Sequence, residues 1–435
     1  MDLLIKDALI LTFDEEDRVI QNGYVLIRNG IIAEVGEEAF KVEKGVNLID
    51  VKGRVLLPGL INMHTHLYSS LARGMPFPQV NSFYDILERI WWKLDKALDE
   101  EDIYLSALLG LMDSVRRGVT TLFDHHSSPN FTRGSLDIIE KAVRDVGVRA
   151  SLSYEVTDRN GRKKRDEAIE ENVRFIEKVK GDSRVKSTFG LHASFTLSEE
   201  TLEICVEKKG SLNVGFHIHV AEGPEDEEDS IRKYNERVVE RLSRWGILGE
   251  KSLLIHGVHL DRREIEILRD TKTPLIHNPS SNLNNAVGMA PLTQMLKNSI
   301  VIGLGTDGFG EDILGEMKNA FLLLKHGEKD PNIGVEAFGF LKNNSRLASL
   351  HFGKTLGRIE KGALGDVVLY DYKPPTPLNE KTVFPHLFFG LSLLIPDTVV
   401  VGGEVIYEKG RFLKVDEDEI LRKTMTRAQK IWEKL

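Results

Sequence analysis

Two histidines one residue apart, His64 and His66, close the near-continuous apolar run 56–70, LLPGLINMHTHLYSS. Residues i and i+2 of a β-strand face the same side. Both imidazoles would then project toward one point, as chelation of a single metal ion requires. Two hydrogen-bonded polar side chains near a strand end would look the same, so the pair needs company. It has it: Asp124, His125 and His126 end the run VTTLFDHH, and His192 ends VKSTFGLHA. His217, His219 and Glu222 fall in NVGFHIHVAE, His256 and His259 in SLLIHGVHL, His277 and Asn278 in TPLIHNPS, and Thr306 and Asp307 in SIVIGLGTDG. Neutral imidazoles with one carboxylate suit Zn²⁺, or divalent iron, with a position left for water. The candidate set is His64, His66, one histidine of the fifth strand, and Asp307. Glu222 lies three residues beyond His219, where a carboxylate could move protons without ligating the ion. His256 could polarise a leaving group or steady oxyanion charge. Spacing alone does not choose between His217 and His219.

These side chains need elements that bring strand ends together. Eight short apolar runs (60–66, 119–126, 148–156, 185–193, 213–222, 252–260, 273–280 and 299–308) alternate mostly with stretches of helical spacing such as SLDIIEKAVRDVG and DEAIEENVRFIEKVKG. That pattern predicts an α/β fold, a (β/α)₈ barrel, whose active site lies at the C-terminal ends of its strands. Residues 1–57 read instead as short strands broken by Gly, Asn and Asp, and the pattern returns after residue 357 in GRIEKGALGDVVLYDY and DTVVVGGEVIYEKGRFLKV. The expected organisation is a barrel over 58–356 and a small β-domain built from 1–57 and 357–435, with a terminal helix in EDEILRKTMTRAQKIWEKL. The acidic run GPEDEED (223–229) reads as a solvated loop.

The motifs also resemble a known family. LLPGLINMHTH is similar to the opening PGxxxxHxH strand of the amidohydrolase superfamily, in its cyclic-amidine aminohydrolase branch of adenosine-type, S-adenosylhomocysteine and guanine deaminases and triazine hydrolases. FGLHASF resembles that branch's GPH segment, HIHVAEG its HxxE element, LLIHGVHL its AHxVHL element, HNPSSNLNNAVGMAPL its HNPxSNxxxxxGxxP element, and GLGTDGFG its final GTDG. Within the branch the chain most resembles the SsnA group of aminohydrolases. The resemblance implies that His64, His66, His219 and Asp307 hold one divalent ion. It implies that Glu222 shuttles the proton, that His256 and Asp307 assist the attacking water, and that His192 contacts substrate. It selects His219 over His217, which is left as a satisfied core residue or a neighbour of the ligands, the former favoured. Strand 4 ends without a lysine, so a second, lysine-bridged metal is not expected. The stretch LNNAVG departs from the more usual LxxGxG, which points away from a nucleoside-like substrate.

Secondary readings attach to several residues. Arg73, in the loop after the histidine pair, reads as a contact for a substrate carboxylate or phosphate, or as a solvated side chain. Trp91 and Trp92 read as helix packing, His259 as structural, and Asn278, Ser280 and Asn282 as loop caps. At least one of His125 and His126 must point away from the site. The single cysteine, Cys205, excludes an internal disulfide and reads as core packing.

The 435 residues are 41% hydrophobic and 29% charged, with a net charge of −9 and no dominant basic stretch, which argues against nucleic-acid binding. No leader pattern and no apolar run of spanning length predict a cytoplasmic protein without membrane attachment. The expected partners are a small heterocyclic substrate and, from the resemblance alone, further copies of the chain. The expected reaction is hydrolytic deamination of a purine- or pyrimidine-like N-heterocycle with release of ammonia. Opening of a cyclic amide or loss of another leaving group would need the same nucleophile and acid. A catalytically silent binding barrel would have lost one of these groups, and none is missing.

Overall fold

The computed structural model describes residues 2–37, 44–308 and 310–435. Eight parallel strand positions form the barrel: β1 (Leu60–Thr65), β2 (Val119–His126), β3 (Arg149–Tyr154), β4 (Phe189–Ala193), β5 (Phe216–Val220), β6 (Leu253–His256), β7 (Leu275–His277) and β8 (Ile302–Leu304). The fourth run, read as continuous, is interrupted at Thr188. Its first piece, Val185–Ser187, pairs with β3, and its second, β4, pairs with β5. Bridges Val156–Leu191 and Thr65–Asp307 close the ring between β3 and β4 and between β8 and β1. Closure at β8 depends on Gly305. A Cβ there would lie 2.4 Å from Asn278 Oδ1 and 2.8 Å from the His64 Cβ, so only glycine lets the backbone approach the histidine strand this closely.

Barrel strands are buried on both faces, and all residues of β1, β2, β3 and β5 are buried. Some of the barrel's helices have ordinary start signals. Asp99, for example, forms a reciprocal capping box with Asp102 at the start of Glu100–Arg116, and Ser198 caps Glu199–Lys209. Cys205 on the latter helix is buried in the core. The acidic run expected as a loop opens the helix Pro224–Tyr234, with proline at its start and Glu225, Asp226 and Glu227 in its first turn. Carboxylates there face the positive end of the helix dipole, which is why an acidic sequence can begin a helix.

Strands from the two chain ends share one sheet beside the barrel. Its order runs from Arg411–Phe412 through Glu404–Glu408, Thr398–Val401, Val367–Tyr370, Val55–Pro58, Leu3–Leu11 and Val19–Arg28 to Ile31–Glu37, with Asn47–Asp50 pairing Leu3–Leu11. The antiparallel pairing of Val55–Pro58 with Val367–Tyr370 joins the two ends immediately before β1. The terminal helix Glu417–Trp432 leaves this sheet and packs on the barrel helix Glu100–Arg116, where Arg427 bonds Asp99 and Asp102. No described helix is long and apolar enough to cross a membrane.

Candidate metal centre and active site

The inward face of β1 carries Asn62, His64 and then His66, and that of β5 carries His217 and His219. The period of two stacks these in layers: His64 Nδ1 meets His217 Nε2 at 2.9 Å, and above it His66 Nε2 meets His219 Nε2 at 3.2 Å. Asp307 joins the upper layer, its Oδ1 3.0 Å from His66 Nε2 and 3.5 Å from His64 Nε2. His256 Nε2 stands 3.3 Å from Glu222 Oε2 and 3.9 Å from Asp307 Oδ2. The predicted ligands and the predicted proton carrier therefore converge on one corner. Two overlapping groups of potential donors occur there, His64, His219, His256 with Asp307, and His64, His66, His125 with His219.

The donor set fits a cation. His66 Nδ1 donates to the His125 carbonyl at 2.5 Å, and His219 Nδ1 to the His192 carbonyl at 2.8 Å. Each ring then turns a bare Nε2 to the other, and facing lone pairs require positive charge between them. The buried His64 Nε2 has no hydrogen-bond partner among the described residues. Burial holds His64 down at about 3 and His219 well below the usual histidine range, as neutral ligands must be. Burial also opposes a proton on His66, yet its hydrogen bond and attraction to Asp307 raise it to about 9, which shows how strongly this corner favours a positive charge.

Backbone geometry aims the side chains at this corner. His256 (φ 74°), Asp307 (φ 59°) and Ala221 (φ 48°) all occupy the left-handed region at or just past the ends of their strands. Non-glycine residues adopt it at a cost of about 1–3 kcal/mol, and such strain gathers at functional sites. Asn282 Oδ1 accepts from His256 Nδ1 at 2.8 Å, which leaves Nε2 to face Glu222. Ser281 Oγ donates to Asp307 Oδ2, and Asn285 Nδ2 donates to Glu222 Oε1 at 3.1 Å. Burial lifts Glu222 to about 7, against the pull of His256.

A cavity of about 380 Å³ opens above this corner. His192 lines it beside Tyr68, Trp92 and Phe195. Arg73 reaches only its rim, where the exposed guanidinium pairs with Asp113. His217, left from sequence as a satisfied core residue or a neighbour of the predicted ligands, is fully buried and bonds His64 one layer beneath His219. His125 stacks on His217 with ring centroids 4.4 Å apart, whereas His126 turns away to Ser128 Oγ at 2.8 Å, as strand alternation requires. His259 and His277 lie outside the cavity lining, and Asn278, Ser280 and Asn282 belong to the turn and helix after β7.

Three residues on the opposite wall escape the sequence reading. Glu155, directly after β3, lies 3.6 Å from His66 Nδ1 and 3.5 Å from His125 Nδ1, and burial lifts it to about 7. Arg159 pairs with the buried Asp95 and covers the Trp92 ring, its Cζ 5.0 Å from the centroid. Trp92 thus forms part of the cavity wall as well as packing. The same signal that marked the other strands, an ionisable residue at a strand end, was present in SYEV.

The family model for amidohydrolases matches residues 55–406. The chain is 32% identical over 444 residues to the 5'-deoxyadenosine deaminase of Methanobrevibacter smithii, covering 99% of this chain and 98% of that protein. It is also 32% identical over 447 residues to the 5-methylthioadenosine/S-adenosylhomocysteine deaminase of Pelotomaculum thermopropionicum, covering 99% of each. A zinc-bound adenosine deaminase from Xanthomonas campestris superposes with a TM-score of 0.87 at 21% identity over 99% of this chain and 98% of that one, a likeness of fold.

Proposed function

The chain belongs to the amidohydrolase family, and from that premise we propose that it removes ammonia hydrolytically from an amino-substituted N-heterocycle of purine or pyrimidine type. The relatives named above are deaminases of adenosine-like compounds, which supports this reaction class. The observation that carries the reading is the pairing of Glu222 with His256 at 3.3 Å beside the convergent Nε2 atoms and Asp307.

His64, His66, His219 and Asp307 would hold one divalent ion, Zn²⁺ by donor type, with Fe²⁺ the second choice. When bound, such an ion supplies Lewis acidity that makes water a nucleophile near neutral pH. Glu222 takes a proton from the attacking water and passes it first to a ring nitrogen and then to the departing amine. A carboxyl lifted to about 7 both accepts and returns a proton at working pH. His256 steadies charge that develops at the attacked carbon, and Asp307 draws on the same water. The aromatic wall of Tyr68, Trp92 and Phe195 presents faces against which a flat heterocycle can pack.

The test is ammonia release from aminopurines and aminopyrimidines by protein loaded separately with zinc and iron. Release by the wild type, cut about 10²–10⁴-fold by Glu222→Gln, is the expected result. Silence across the panel at about one equivalent of metal would overturn deamination and direct the search to cyclic amides.

A further inference from the structure

Glu155 is 2% exposed and accepts no hydrogen bond from any described residue, yet its carboxylate reaches the cavity. The nearest ring nitrogen, His125 Nδ1, stands 3.5 Å away and makes no hydrogen bond to it, and the other donors are turned elsewhere or lie farther off. His66 Nδ1 gives its proton to the His125 carbonyl, and Arg159 stands 4.0 Å off with its Nη2 on Asp95. A buried carboxylate without donors costs several kcal/mol, so a donor from outside the chain is called for.

Its neighbour has the same need. Thr196 Oγ1 donates to the Ala193 carbonyl at 3.0 Å, an atom that can only accept. The hydroxyl oxygen therefore accepts from His192 Nδ1 at 2.9 Å, and the neutral ring turns a bare Nε2 to the cavity. This Nε2 has no partner among the described residues and lies 4.0 Å from Glu155 Oε2. Two acceptors side by side repel a ring edge that offers only lone pairs.

We propose that Glu155 and His192 form a donor-reading pair, selecting heterocycles that carry a second N–H donor group, an amino group or ring N–H, besides the amine that leaves. Arg159 stands beside Glu155, and Trp92 beneath the guanidinium holds that wall in place. An amino group aimed between the two acceptors satisfies both. An adenine-type edge, with an unprotonated ring nitrogen there, satisfies neither. This specificity rests on the deamination reading for the identity of the leaving group, but not for the grip itself.

Binding to zinc-loaded Glu222→Gln protein separates the two. Calorimetry with matched pairs that lack a ring N–H, 9-methyladenine against 2,6-diamino-9-methylpurine and 4-aminopyrimidine against 2,4-diaminopyrimidine, should show the diamino ring bound about 10–100-fold tighter. Adding Glu155→Gln should erase that ratio with zinc content unchanged. Thr196→Val, which frees the His192 tautomer, should reduce it and serves as the test if Glu155→Gln does not fold. A ratio that moves in this way supports the pair even if the wild type releases no ammonia. Equal affinities, or a ratio untouched by both substitutions, would overturn it even if ammonia is released.

Discussion

Glu222, held between Asn285 and His256, should be separable from the ligands that surround it. In Glu222→Gln, ammonia release should fall as described above while bound zinc stays near one equivalent. In His219→Ala, zinc itself should be lost, because that ring supplies an Nε2 to the cation corner. Metal analysis of the two purified variants distinguishes proton carrier from ligand. His217 is the subtler case. Its 2.9 Å contact orients His64, and partners of this kind typically contribute 10–100-fold in metal affinity. His217→Phe should therefore weaken zinc by about that factor in a chelator competition, whereas a residue that only fills the core would leave affinity unchanged. Sequence spacing could not assign this role. His217 and His219 share a face of β5, and only the height of β1 opposite decides which meets His66 and which meets His64.

At the scale of elements, the short helix Pro279–Asn284 brings Ser281 and Asn282 to the site and is anchored from behind by Glu316 on the helix Ile313–Glu328. Glu316 accepts from the Ser280 amide at 2.9 Å, and burial pushes its carboxyl from 4.5 up to about 8. Between those values the folded chain keeps a proton that the unfolded chain has released. Stability from this group is thus complete below about 4.5 and declines as pH rises toward 8. Urea midpoints should fall less steeply from pH 5 to pH 8 in Glu316→Gln than in the wild type; parallel curves would refute the assignment. The helices and most strands of the barrel were legible as alternating periodicities, and the motif histidines fell where strands end. The break in the fourth strand and the helix opened by the acidic run were not. One depends on barrel closure, and the other on a dipole that rewards carboxylates only once a helix exists.

Across the whole molecule, the sheet from the two chain ends is tied to the foot of the barrel by a buried pair. Arg149, the first residue of β3, donates Nε to Asp366 Oδ2 at 2.7 Å and Nη2 to Oδ1 at 3.1 Å. Asp366 also accepts from the Gly402 amide at 2.7 Å, and its carbonyl accepts from the Gly59 amide at 2.8 Å. Asp366→Ala would strand a buried guanidinium and should cost about 3–5 kcal/mol of unfolding free energy in a urea titration. The site lies at the other end of β3, so zinc content of the folded fraction should not change. That the terminal segments share a sheet follows from their similar strand patterns only as an expectation; the register of Val55–Pro58 on Val367–Tyr370 comes from the folded chain.

The sequence by itself determined the chemistry on offer. The HxH pair, HxxE, the GTDG aspartate and their positions at the ends of apolar runs are local patterns, and local patterns survive in one dimension. Only the tertiary structure decided which groups stand alone. The Glu155 carboxylate and the His192 Nε2 take their meaning from donors that are missing around them, and from a threonine that fixes a tautomer across a turn. Partnerlessness is a property of the surrounding space, and no spacing along the chain encodes it.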